Sequence, residues 1–171
     1  MSRPVAVLVG PPGAGKTTVG VLLAERLGVT FRDVDHDIEA SAGKPISDIF
    51  VDDGEEVFRA LEASAVVAAL ETHDGVLALG GGAVLADATR AALRGHRVVH
   101  LNVGLSDAVD RVGLNTARPL LALNPRATMR TLLAQRAPLY AEVATVVVDT
   151  DGRTPDGITA DVLAQLQEVS A

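Results

Sequence analysis

The chain has no cysteine and no tryptophan. Without thiols it can form neither a disulfide nor a thiolate metal site, which excludes a stapled secreted scaffold and suits a reducing compartment. Aromatic residues make up only 2% of the sequence, so Ala, Val and Leu must build the core. Lysine is scarce as well, with Lys16 and Lys44 the only two, and arginine carries almost all the positive charge. The net charge of −7 argues against non-specific binding to nucleic acid or to anionic membranes. No apolar run approaches the ~18 residues of a membrane-spanning helix. Met1-Ser2-Arg3-Pro4 leads straight into an apolar run, without the pattern of a secretory signal. These absences set the expectation of a cytoplasmic protein without nucleic-acid or membrane partners, and of a monomer.

What is present begins with Gly10-Pro11-Pro12-Gly13-Ala14-Gly15-Lys16-Thr17-Thr18, which fits G-x-x-x-x-G-K-[ST], the phosphate-binding loop. Its flanks have the required form. Val5–Val9 is a continuous apolar run suited to a strand buried on both faces, and Val19–Gly28 has apolar residues at helical spacing with a terminal glycine. Residues without Cβ, Gly13 and Gly15 around Ala14, let backbone N–H groups turn inward as an anion cradle. The helix N-terminus adds partial positive charge, and Lys16 adds a full charge for the β- and γ-phosphates. The Thr17 hydroxyl, followed by Thr18, is placed to ligate Mg²⁺. The loop thus calls for a nucleoside triphosphate with Mg²⁺ and leaves the phosphate acceptor open.

The 171 residues suit one domain, residues 1–171, and no repeat, low-complexity tract or composition shift divides them. Apolar runs expected as strands are Val5–Val9, Thr30–Asp33, Gly75–Leu79, Arg97–Val103 and Thr145–Asp149. They alternate with helical patterns over Lys16–Leu27, Asp35–Ala42, Ile46–Asp52, Glu55–Glu71, Ala86–Arg94, Ser106–Gly113, Arg126–Tyr140 and Thr154–Val169. This alternation predicts an α/β fold with a parallel sheet covered by helices on both faces. Ligands of such sheets sit at the carboxyl ends of the strands.

Asp33-Val34-Asp35 closes the second strand, and both carboxylates share a side if the chain stays extended. One of the two can hold Mg²⁺ through water, and the other can hydrogen-bond an acceptor hydroxyl and take up its proton. Asp35 can equally cap the next helix. His36 is expected to be solvated or capping, since no second histidine stands at ligand spacing. Arg59 can bind an anionic substrate or pair with Glu55, Glu56 or Glu62, and on the residues alone the ion pair is preferred. Gly80-Gly81-Gly82 ends the third strand at the phosphate face and allows a ligand close to the backbone. No acidic residue ends that strand, so Mg²⁺ would rely on Thr17, Asp33, phosphate oxygens and water. Asn115–Leu121 lies in a loop between helices, long enough to close as a lid over about residues 114–125. Arg118 there can meet the γ-phosphate, or it can be a solvated loop arginine. Pro138 predicts a kink or helix end near Arg136. Tyr140 reads as core, and His73, His96 and His100 as structural or exposed.

Taken together and in order, these features resemble the shikimate kinase family along nearly the whole chain. The matching segments are Gly10–Thr18, Asp33–Asp35, Phe58-Arg59, Leu79–Gly82, Asn115–Leu121 and Arg136–Tyr140. The resemblance implies a three-layer, five-stranded parallel sheet of the nucleoside-monophosphate-kinase type with a mobile lid. It implies transfer of the ATP γ-phosphate to the 3-hydroxyl of shikimate, on the route to chorismate and the aromatic amino acids. It further implies that Arg59 and Arg136 grip the substrate carboxylate, and that Asp35 binds the ring hydroxyls and acts as base. Gly81 would offer its N–H to the substrate, and Gly80 and Gly82 would stand beside it. Lys16 and Arg118 would act at the phosphates, Asp33 would sit near Mg²⁺, and Arg111 and Arg153 would flank adenine. Two departures stand out. The segment Ala122–Pro125 is short for the family, and position 135 is Gln where relatives can carry a basic residue, which predicts altered lid kinetics with activity retained.

The rivals are another small-molecule kinase of this scaffold, acting on gluconate or a nucleoside monophosphate, and a nucleotide-dependent switch. The switch finds no Asn-Lys-x-Asp guanine signature in the sequence. If Arg118 acts on the transferring phosphoryl group, Arg118→Ala should lower kcat by about 10³ or more while ATP still binds. Steady-state turnover beside a nucleotide-binding titration checks this, and near-wild-type turnover removes Arg118 from the transition state.

Overall fold

A computed structural model describes residues 3–112 and 124–170. Arg118 and all but the end of the expected lid therefore lie outside the described residues. Five strands form one sheet: β1 (Ala6–Val9), β2 (Phe31–Asp33), β3 (Val76–Ala78), β4 (Val98–Asn102) and β5 (Val146–Asp149). Their order is β2-β3-β1-β4-β5 and every pairing is parallel, as the alternation of apolar runs and helical patterns required. The helices are α1 (Lys16–Leu27), α2 (Val34–Ala42), α3 (Ile46–Asp53), α4 (Glu55–Thr72), α5 (Asp87–Ala92), α6 (Leu105–Val112), α7 (Pro125–Val143) and α8 (Pro155–Ser170). Among the described residues, no helix is long and apolar enough to cross a membrane.

The strands alternate their side chains between two cores because successive residues point to opposite faces. Ala6, Leu8, Val76, Ala78, Val99 and Leu101 join Val19 and Leu23 of α1 and Val162 and Leu166 of α8. Val7, Val9, Leu77, Leu79 and Val98 join Phe58, Val66 and Leu70 of α4 and Tyr140 of α7. Both faces of the sheet are thus buried, which explains why the central strands are continuously apolar.

Three local differences from the sequence reading have physical causes. The chain turns helical at Val34, so Asp33 and Asp35 are not alternating strand residues. Asp33 is the N-cap of α2, accepting the Asp35 N–H, and Asp35 stands in the first turn. Helix α7 runs through Pro138 without ending. One lost backbone hydrogen bond there is outweighed by the burial of Met129, Leu132 and Tyr140 along the same helix. The segment Ala83–Leu85 forms a 3-10 turn, and α5 is correspondingly shorter than the pattern Ala86–Arg94.

Gly75 sets the spacing of the β2 edge. Its Cβ, if present, would overlap the Thr30 carbonyl oxygen, which accepts the Val76 N–H at 2.9 Å. A backbone atom in a sheet cannot step aside cheaply. Gly75→Ala should therefore destabilise the protein by about 2 kcal/mol, read as a lower urea midpoint. An unchanged midpoint would show that β2 shifts freely.

Candidate functional site

The carboxyl ends of β1, β2 and β3 open into a cavity of about 450 Å³. Pro12, Gly13, Gly15, Lys16, Thr17 and Thr18 of the phosphate loop line it together with Asp33, Asp35, Gly80, Gly81 and Arg111. Parallel registry explains the juxtaposition: Leu8 pairs with Ala78 and Asp33 pairs with Ala78 from the other side, so three strands end at one level.

The loop between β1 and α1 has the conformation of an anion cradle. Gly15, the N-cap of α1, holds φ at +89°, a region open to glycine and costly for residues with Cβ. Ala14 is fully buried beneath the loop. Lys16 Nζ donates to the Gly10 carbonyl at 2.7 Å and the Pro11 carbonyl at 3.1 Å, so its charge is held within the loop. The α1 N-terminus, whose first amides need acceptors, opens into the same space. A polyphosphate fits this set of donors.

Thr17 and Asp33 face each other, with the hydroxyl donating toward Asp33 Oδ2 at 3.5 Å. Burial pushes the Asp33 carboxyl above its ordinary value of 3.8, and the neighbouring Asp35 charge adds to the shift. The hydrogen bond from the Asp35 N–H and the charges of His36 and Lys16 oppose it. Among the described residues no group of three or more His, Asp or Glu gathers as a self-sufficient metal site. One hydroxyl and one disfavoured carboxylate beside a phosphate cradle fit an Mg²⁺ whose remaining ligands come from phosphate and water.

The side facing the phosphate loop is built on Gly80–Gly82. A Cβ on Gly80 would lie 2.8 Å from Asp35 Oδ1 and 2.9 Å from Glu62 Oε2, so both carboxylates press on this one Cα. A Cβ on Gly82 would overlap the Arg59 guanidinium, and one on Gly81 would lie 2.9 Å from Pro12 Cδ of the phosphate loop. Arg59 pairs with Glu62 at 2.9 Å and with Glu55 at 3.4 Å, and its carbon centre lies 5.2 Å from the Phe58 ring centroid. The ion pair and the placement beside the glycines are therefore both present. Asp35, Arg59 and the glycines meet at one place.

Arg136 is only 6% exposed and lines a second cavity of about 470 Å³ with Glu55, Thr131, Leu132 and Gln135. Glu55 links the two regions, since it lines this cavity and pairs with Arg59. Arg111 donates to the Gly13 carbonyl at 3.0 Å and to the Thr150 carbonyl at 3.0 Å, tying α6 to the phosphate loop. Arg153 is away from the cavity lining and is held by Asp161, the Asp149 carbonyl and the Gly157 carbonyl. Glu62 was named in the sequence only as an ion-pair candidate. Its signal was legible nonetheless, because Phe58, Glu62, Val66 and Leu70 make one buried stripe of α4 interrupted by a carboxylate.

The raised Asp33 value has a stability consequence. A carboxyl that binds its proton more tightly in the folded state costs nothing below its unfolded value of 3.8. The penalty grows as pH rises through the raised folded value and is complete above it. Asp33→Asn keeps an acceptor for the α2 cap and removes the charge. Without ligands, this variant should melt above the parent at pH 7, with the gap closing as the pH falls toward 4. Differential scanning calorimetry across that range checks it, and a variant less stable at pH 7 would contradict it.

Comparisons with known proteins agree with this geometry. A family model described as shikimate kinase matches residues 12–167. The shikimate kinase of Salinispora arenicola (strain CNS-205) is 67% identical over 163 residues, covering 95% of this chain and 98% of that protein. The shikimate kinase of Thermobifida fusca (strain YX) is 61% identical over 155 residues, covering 91% and 90%. Among solved structures, shikimate kinase from Acinetobacter baumannii in complex with shikimate superposes with a TM-score of 0.93 at 37% identity, covering 98% of this chain and 94% of that one. A phosphate loop abutting a glycine-lined, carboxylate-bearing pocket, joined to likeness over nearly its full length, means that the chain belongs to the shikimate kinase family.

Proposed function

We propose that the protein transfers the γ-phosphate of ATP to the 3-hydroxyl of shikimate, giving shikimate 3-phosphate and ADP, on the route to chorismate. The observation that carries this reading is the contact between two glycine loops, Gly10–Gly15 and Gly80–Gly82, across a single cavity that Lys16 and Asp35 both line. Phosphoryl transfer needs little covalent work from a protein and much positioning, and this cavity brings donor-binding and acceptor-binding groups together.

In this reading the backbone amides of Gly13, Ala14 and Gly15 cradle the phosphates, with Lys16 releasing its loop carbonyls to bind them. Thr17 and Asp33 hold Mg²⁺, which neutralises charge on the phosphate oxygens when bound. Asp35 accepts the proton of the acceptor hydroxyl as its oxygen bonds to phosphorus and the bond to ADP breaks. Arg59, already oriented by Glu62, and Arg136 bind the shikimate carboxylate, for which a planar guanidinium offers a two-point match. Gly80, Gly81 and Gly82 let the substrate approach the backbone. Arg111 and Arg153 flank the adenine, and Arg118 acts at the phosphates from the lid. The single domain spans residues 1–171 and works as a monomer in the cytoplasm.

Gluconate also offers a carboxylate and hydroxyls, so the discriminating measurement is ADP release with shikimate, gluconate and nucleoside monophosphates as separate acceptors. Shikimate should stimulate turnover and the others should not. Stimulation by gluconate alone, or release indifferent to any acceptor, would overturn the reading. Asp35→Asn should keep the melting temperature and lower kcat for shikimate by about 10²–10⁴. A variant that phosphorylates shikimate at the parent rate would show that Asp35 is not the base.

A further inference from the structure

Tyr140 is the only tyrosine in the chain, and it is 2% exposed. Its ring faces His100 of β4 at 4.9 Å between centroids with 28° between planes, a stacked arrangement. Its hydroxyl donates a short hydrogen bond to the Gly81 carbonyl, 59 residues away in sequence. Two features make this bond more than core packing. Gly81 has no side chain with which to anchor itself, yet it lies between the phosphate loop, at Pro12, and the acceptor cavity. Tyr140 also stands four residues after Arg136 on α7, so the two share one helix face, and both are buried.

We infer that Tyr140 is a positioning residue for the acceptor: its hydroxyl locks the Gly81 peptide and, through α7, sets the distance between Gly81 and Arg136. This rests on the reading of the cavity as the shikimate site. The physical need is plain. A glycine peptide can rotate with little penalty, and a peptide whose carbonyl is held has its plane, and hence its neighbouring N–H groups, fixed before substrate arrives. The stacked imidazole holds the phenol ring from the sheet side. Burial keeps the His100 value below its ordinary one, with a nearby Asp149 opposing and Lys16 reinforcing that shift, so the platform is a neutral ring at neutral pH. The cradle that binds the nucleotide has its own hydrogen bonds and does not use this tie.

The test is Tyr140→Phe, which removes one oxygen and keeps the ring stacked. The KM for shikimate should rise about tenfold while the KM for ATP stays within about twofold of the parent. A purely structural role would move both constants and the melting temperature together. Incorporating 4-aminophenylalanine at position 140, which restores a donor, should recover most of the lost affinity. A shikimate KM unchanged in Tyr140→Phe, or both constants raised alike, overturns the inference. Failure of the parent protein to phosphorylate shikimate in the same assay sinks the underlying reading instead. Should Tyr140→Phe not fold, the parent supplies a second measurement. With no tryptophan present, its near-ultraviolet emission comes from Tyr140 alone, and because the hydrogen bond is already made before substrate arrives, saturating shikimate should leave that emission as it is in the free protein. Emission that rises on shikimate binding, as for a phenol released from its acceptor, overturns the inference.

Discussion

The parallel pairing of β1 with β3, Ala6 opposite Val76 through Leu8 opposite Ala78, brings the loops after the two strands to the same edge of the sheet. Gly10 and Gly80 let both chains leave the sheet closely packed, and Pro12 and Gly81 meet so tightly that a Cβ would lie 2.9 Å from the proline ring. The two loops that line the cavity are thereby separated by little more than one van der Waals contact. Everything proposed for transfer depends on that spacing, because an in-line displacement tolerates little misplacement of its two oxygens.

Around this contact the protein buries charge in quantity. Glu62 is 2% exposed and Arg136 is 6% exposed, and charged side chains are rarely buried without partners. Arg59 pairs with Glu62 across one turn of α4, and the glycines supply the room. A guanidinium held in this way loses little freedom when an anion arrives, and so binds at lower entropic cost than a free surface arginine. Asp33 shows the converse. It sits next to Asp35 in a half-buried position that raises its proton affinity, a state that a cation between it and Thr17 would relieve.

Much of the architecture was legible because it is written in local pattern. The α1 bounds, the five strands and the parallel sheet follow from apolar runs alternating with helical periodicity, a signal set by residues within a few positions of each other. The phosphate loop was legible for the same reason. Where the reading differed, a longer-range effect had prevailed. Pro138 is expected to kink or end its helix by its own chemistry, and of the two the end does not occur, because burial of Met129, Leu132 and Tyr140 keeps α7 continuous. Asp33 and Asp35 would share a side only in an extended chain, but the helix begins between them, so Asp33 caps and Asp35 stands in the first turn.

The sequence by itself determined the glycine-rich cradle, the order of strands and helices, and which residue types were available for anion and hydroxyl recognition. Those properties depend on backbone freedom and periodicity, which are local. Only the tertiary structure decided that Arg59 would meet Gly82, that Glu62 would share Gly80 with Asp35, and that Tyr140 would reach Gly81 from 59 residues away. Such contacts depend on how helices are laid across the sheet. No stretch of chain shorter than the whole domain encodes that arrangement, because packing joins groups that local periodicity never compares.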